Sequence, residues 1–132
     1  KIVNFFEKVL DNPSERSVRS LYDFMMHADI KITDDGHIIC FKNVRSDMKD
    51  NFTGTIDNSV GETVSMPRYM IDEDITKHCS VGLHVCAFNY TKWYPGEITI
   101  KVLVNPRDVV SVPEDHNREK MRVCMYEVID IV

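Results

Sequence analysis

The sequence predicts an α+β fold: an N-terminal helical hairpin followed by a mostly antiparallel or mixed sheet. Three observations carry this. Apolar residues recur at helical spacing as far as Met25. From Ile30 onward they alternate with polar ones, as on half-buried strands. Turn signals such as Asp-Gly and Pro-Gly separate the strand-like runs. The 132 residues fit a single domain over 1–132, with the hairpin in 1–29 and the sheet region in 30–132.

The elements follow in order. Ile2, Phe5, Phe6, Val9 and Leu10 form one apolar stripe, so the chain opens on a helix. Asn12-Pro13-Ser14-Glu15 is a break and a restart, with Asn12 as cap, Pro13 in the first turn and Glu15 where a capping box takes an acid. Val18, Leu21, Tyr22 and Met25 are the buried stripe of the second helix. Ile30 and Ile32, then Asp35-Gly36, then His37–Lys42 read as two strands joined by a hairpin. Residues 45–61 are a polar loop. Thr63–Arg68 is a short strand that Pro67 confines to an edge. Asp72-Glu73-Asp74 reads as a solvated acidic loop. Gly82–Cys86 is a short strand with His84 and Cys86 on one side, and Ala87–Tyr94 is a short helix stopped by Pro95-Gly96. Residues 98–104 alternate most cleanly. Val109–Val112 and Met121–Ile131 are the last strands, with a charged loop, Glu114–Lys120, between them.

Composition excludes several classes. With 43% hydrophobic and 28% charged residues the chain is a folded domain rather than a disordered one. No apolar run approaches the ~18 residues of a membrane span. A net charge of −5 argues against a broad nucleic-acid-binding face. Four cysteines without a CxxC pair fit a reducing compartment and free thiols rather than a disulfide scaffold. The chain starts at Lys1, so it reads as a segment of a longer protein, without a signal peptide.

Several residues carry chemistry. Cys79, His84, Cys86 and, from a later strand, Cys124 are soft or borderline ligands of the kind zinc takes in fours; core thiols beside a hydrogen-bonded His84 are the commoner arrangement. Lys42, Arg45 and Arg68 flank the long loop, which contains Asp57 and Asn58, and arginine suits a planar anion. The same loop carries Phe52 among polar residues, and aromatic and arginine side chains anchor interfaces. Glu127 lies within a late strand as an acid of either face. No glycine-rich phosphate loop, HExxH or GxSxG is present, so no catalytic residue is assigned.

The runs LDNPSERSVRSLYDFMMHADIKITDDGHIICFKNVRSD, TGTIDNSVGETVSMPR, CSVGLHVC and VNPRDVVSVPEDHNREKMRVCMYEVI, in that order, resemble the C-terminal part of the rIIB-like protein family of T-even bacteriophages. The resemblance covers residues 5–130. Lys42, Arg45, Asp57, Asn58, Arg68, Cys79, His84, Cys86, Cys124 and Glu127 sit where the family pattern has the same residue. Cys40 and Ala87 depart from it.

The resemblance implies a phage accessory protein that works by protein–protein interaction with a rIIA-like phage protein. It also implies a place in the host cytoplasm, peripheral to the inner face of the membrane, and a part in lysis timing and in protection against prophage-mediated exclusion. A host or prophage protein is a further partner class, and no nucleic acid or cofactor is expected for this segment. A second similarity is local. Gly82-Leu83-His84 before a short helix looks like a strand of small ADP-ribosyltransferase-like domains, which would make Lys42, Arg45, His84 and Glu127 nucleotide contacts. A structural zinc module at the Cys/His residues is the third reading.

Overall fold

The computed structural model describes residues 1–114 and 119–132. Residues 115–118 of the expected charged loop lie outside the described residues. Helix α1 spans Ile2–Leu10 and helix α2 spans Glu15–His27. Ser14, not Asn12, caps α2: its hydroxyl accepts from the Ser17 amide at 3.2 Å. Asn12 lies two residues too early. Its oxygen accepts from the Ser14 amide, and its amide group donates to the Pro106 and Val109 carbonyls at 3.0 and 2.9 Å. On α1 only Phe5 and Val9 are buried, so Ile2, Val3, Phe6 and Leu10 leave an apolar face exposed.

Seven strands follow: β1 Ile38–Val44, β2 Thr63–Ser65, β3 Leu83–Cys86, β4 Ile98–Val104, β5 Val109–Ser111, β6 Lys120–Val123 and β7 Met125–Ile131. They form one antiparallel sheet in the order β2-β7-β4-β1-β3-β6-β5. The antiparallel alternative within the expected mixed-or-antiparallel sheet is the one found. Ile32 makes only an isolated bridge to Ile38. The turn between them needs Gly36, whose φ is +88° and where a Cβ would lie 2.5 Å from the Asn4 and Phe5 backbone. The segment after β3 is a 3₁₀ helix, Phe88–Lys92, rather than an α-helix.

The expected strand Met121–Ile131 is two strands broken at Cys124. Its halves occupy places four apart in the sheet. Flat strands so placed would be about 19 Å apart, whereas two peptide units span about 7 Å. The sheet therefore curls until β6 runs directly into β7. Cys124 fixes the bend with its backbone, donating to the Asp108 carbonyl and accepting from the Met66 amide, both at 2.9 Å. These long-range bonds leave no mark on the local pattern of the sequence.

The core lies on the face that carries Ile38, Cys40, Val102, Val104, Met121 and Val123, which pack with Phe5, Val9, Leu21 and Phe24 of the helices. Each such side chain contributes roughly 1.5–3 kcal/mol on full burial.

Candidate functional site

After β1 the chain enters a loop organised by one carboxylate. Asp50 is buried and accepts from the amides of Thr53, Thr55 and Ile56 at 2.7, 3.0 and 3.0 Å, and from the Thr53 hydroxyl at 2.7 Å. Burial alone would raise its pKa. The Thr53, Ile56 and Thr55 amides and the Thr53 hydroxyl outweigh it and hold the carboxyl well below its ordinary range. The knot leaves Phe52 at the tip with 96% of its surface exposed. Arg45 donates to the Asn51 carbonyl at 3.1 Å and lies so close over Gly54 that a Cβ there would meet its Nη1 at 2.2 Å.

This loop is stitched to the one after β3. Asn51 donates to the Asn43 and Pro95 carbonyls. Buried Asn43 donates to the Thr91 and Tyr94 carbonyls at 2.8 and 3.1 Å, and its amide donates to the Tyr94 hydroxyl at 2.8 Å. Trp93, 76% exposed, belongs to this second loop. The sequence reading passed over both Asp50 and Trp93. The Asp-x-x-Thr spacing of Asp50 and Thr53 is the signal that finds the first, because a short acid readily bonds amides just ahead of it.

Asp57 keeps a local role, accepting from the Ser59 amide and hydroxyl, which lower its pKa. Asn58 is fully buried and accepts from the Tyr126 hydroxyl. Lys42 lies above the Tyr126 ring, 5.9 Å from its centroid, and donates to the His84 carbonyl at 2.7 Å. Burial lowers its pKa to about 8, against the favourable field of the Asp50 carboxylate.

His84 and Cys86 do share a face, opposite Arg122 and Lys120 of β6. Burial, and then the charges of Lys42, Arg122 and Lys120, hold His84 neutral with a pKa near 4. Arg122 is fully buried and donates to the Asp74 and Lys77 carbonyls and the Ser111 hydroxyl at 2.6, 2.8 and 2.7 Å. The stretch Asp72-Glu73-Asp74 is thus partly buried and ordered, not a freely solvated acidic loop. Asp72 accepts from Ser80, Asp74 from Thr76, and their carbonyls receive Ser111 and Arg122.

Arg68 is a tie between elements. It donates to the Val109 and Arg107 carbonyls, to Asn12 and to Ser17, at 2.8–2.9 Å. Glu127 is exposed and lines a groove of about 150 Å³ with His37, Asn105 and Arg107. Lys42, Arg45 and His84 do not line that groove, so the four expected nucleotide contacts do not share it.

The four Cys/His residues do not gather. Cys86 is hydrogen-bonded to the Phe41 carbonyl at 3.4 Å and faces the Tyr94 hydroxyl at 3.7 Å. Burial pushes its thiol up to about 12. Cys124 points at Asp108, 3.7 Å away, and Cys79 is exposed. Among the described residues no three His, Cys, Asp or Glu side chains are grouped to hold a metal. Cys40, which departs from the family pattern, is a core residue.

Comparison with known proteins agrees with the resemblance. No solved structure matches the chain. Protein rIIB of Enterobacteria phage T4 is 46% identical over 130 residues, which are 97% of this chain and 42% of that protein. The chain thus spans well under half the length of this relative. The family model described as Bacteriophage T4 protein rIIB matches residues 1–131. Carried on an α+β domain with the curled sheet described above, this match over nearly every residue establishes that the chain belongs to the rIIB family of bacteriophage proteins.

Proposed function

We propose that the domain is a protein-docking module of a rIIB-like phage protein, and that its partner is a rIIA-like phage protein. A host or prophage protein is the other partner class. The complex would form in the host cytoplasm at the inner face of the membrane and serve lysis timing and protection against prophage-mediated exclusion. These roles rest on family membership. The observation that supports docking is the Asp50 knot, which holds Phe52 out in solvent on a backbone already ordered. An aromatic presented in this way loses little conformational freedom on binding. Trp93 and Arg45, bonded into the same pair of loops, extend the contact surface.

The test is the affinity of Phe52→Ala, Trp93→Ala and Arg45→Ala chains for the rIIA-like protein. Buried aromatic anchors at interfaces cost 2 kcal/mol or more when truncated, so a loss of roughly 30-fold is expected for Phe52→Ala. Unchanged affinity in all three removes this loop pair as the docking surface.

A further inference from the structure

The two edges of the sheet are treated differently. At β5 the outer edge is sealed by side chains. The Val109 carbonyl accepts from Arg68 and Asn12, and the Val110 carbonyl from the Ser17 hydroxyl. At β2 nothing comparable occurs. Its pairing with β7 runs through Val64, continued by the Val128 amide to the Glu62 carbonyl and the Met66 amide to the Cys124 carbonyl. By the two-residue alternation of an antiparallel ladder, the amides and carbonyls of Thr63 and Ser65 point outward. Among the described residues they have no hydrogen-bond partner, and both residues are exposed. An open edge is a template for another strand.

The edge is its own complement. Glu62 precedes the strand and Glu127 lies opposite Thr63, so one end is acidic. Arg68 follows the strand, so the other end carries a guanidinium. Exposed Val60 stands before the strand and exposed Tyr69 and Met70 after it. An antiparallel copy turned about a two-fold axis brings the acidic end of one chain to the basic end of the other. It also brings Val60 of one beside Tyr69 of the other. There an open groove lined by Arg68, Tyr69, Ile71 and Glu73 can receive it.

We infer that β2 pairs with β2 of a second copy of this chain, two-fold about Val64, Thr63 of each facing Ser65 of the other. Four main-chain hydrogen bonds form, and the sheet continues across both copies. The Thr63 and Ser65 hydroxyls meet across the seam, a favourable cross-strand pair. The interface is isologous and small, so the dimer is weak.

Sedimentation equilibrium of the 132-residue chain from about 10 μM to about 1 mM tests this, that range matching so small an interface. The average mass should climb from monomer toward dimer. Over the same range amide exchange at Thr63 and Ser65 should slow several-fold, while Val64 stays protected throughout. Ser65→Pro removes an amide that the single chain does not use, a substitution edge strands tolerate. It should leave the circular dichroism native and the chain monomeric at every concentration. A wild-type chain that stays monomeric to the highest concentration overturns the proposal. So does a folded Ser65→Pro chain that associates as well as wild type. The exchange measurement decides the matter without the variant should Ser65→Pro not fold, since unchanged exchange at Thr63 and Ser65 also overturns it.

Discussion

Arg68 donates to the Ser17 hydroxyl at 2.9 Å, joining the segment just past β2 to the first turn of α2 across 51 residues of sequence. That hydroxyl itself donates to the Val110 carbonyl at 2.6 Å, so one chain of hydrogen bonds links edge, helix and opposite edge.

Removing this tie should be costly. Arg68→Ala takes one hydrogen bond each from the Val109 and Arg107 carbonyls and from the Asn12 and Ser17 side-chain oxygens. We expect a loss of about 2–4 kcal/mol, since hydrogen bonds to charged groups contribute about 1.5–3 each in buried sites and less where water competes. Arg68→Lys should recover less than half, because one ammonium cannot span partners that the guanidinium fork reaches together. Urea unfolding measures both.

Asp50 should shape the acid limb of stability. Its folded pKa is depressed, so its contribution is present in full above the unfolded value of about 3.9 and is lost as pH falls through the folded one. Asp50→Asn keeps the size but not the charge. It should lower stability at pH 7 by about 1–3 kcal/mol. The difference from wild type should shrink steadily below about pH 4, as read from urea midpoints across pH.

Lys42 works in the opposite sense. Its folded pKa of about 8 lies below the unfolded value near 10.4. Below pH 8 both states hold the proton and the folded state bears the full cost of burying it. Between about 8 and 10.4 the unfolded chain binds more protons, so this residue makes stability rise with pH. Lys42→Met should therefore match or exceed wild type at pH 7, by on the order of 1 kcal/mol after allowing for solvent screening. The gap should close as pH approaches 10, which thermal melts at a series of pH values will show.

The thiols should divide one to three. Cys79 is exposed, while Cys40, Cys86 and Cys124 are buried and burial raises the pKa of each. A disulfide reagent near pH 8 should modify one thiol quickly and the other three only with unfolding. Two or more fast thiols in the folded chain would contradict the packing.

Much of the fold could be read from the chain because its signals are local. The alternation of Ile98, Ile100, Val102 and Val104 matches the register of β4 against β1, and Gly36 marks the turn that leads into β1. His84 and Cys86 were expected on one side of a strand, and the register places them so. The bend at Cys124 was illegible, because Met121–Ile131 is uniformly strand-like and its break is set by backbone bonds to Asp108 and Met66. Of the Cys/His quartet only one pair was legible for a related reason: short spacing puts His84 and Cys86 on one face but says nothing about where Cys79 and Cys124 end up. Nothing local marks Arg122 for burial either, because its three acceptors are Ser111 of β5 and the Lys77 and Asp74 carbonyls, 11 to 48 residues away.

The place of β7 also orders events in time. Of the seven strands this one is made last, yet it lies between β4 and β2. Until it emerges, β2 has no neighbour to pair with and Cys124 cannot turn β6 into it. Most other pairings are just as distant in sequence, which makes folding slow as well as late. The sheet therefore cannot close before residues 125–131 have been made. A nascent chain that stops just short of Met125 carries β4 and β2 as bare edges, open to a chaperone or to one another's copies on neighbouring ribosomes.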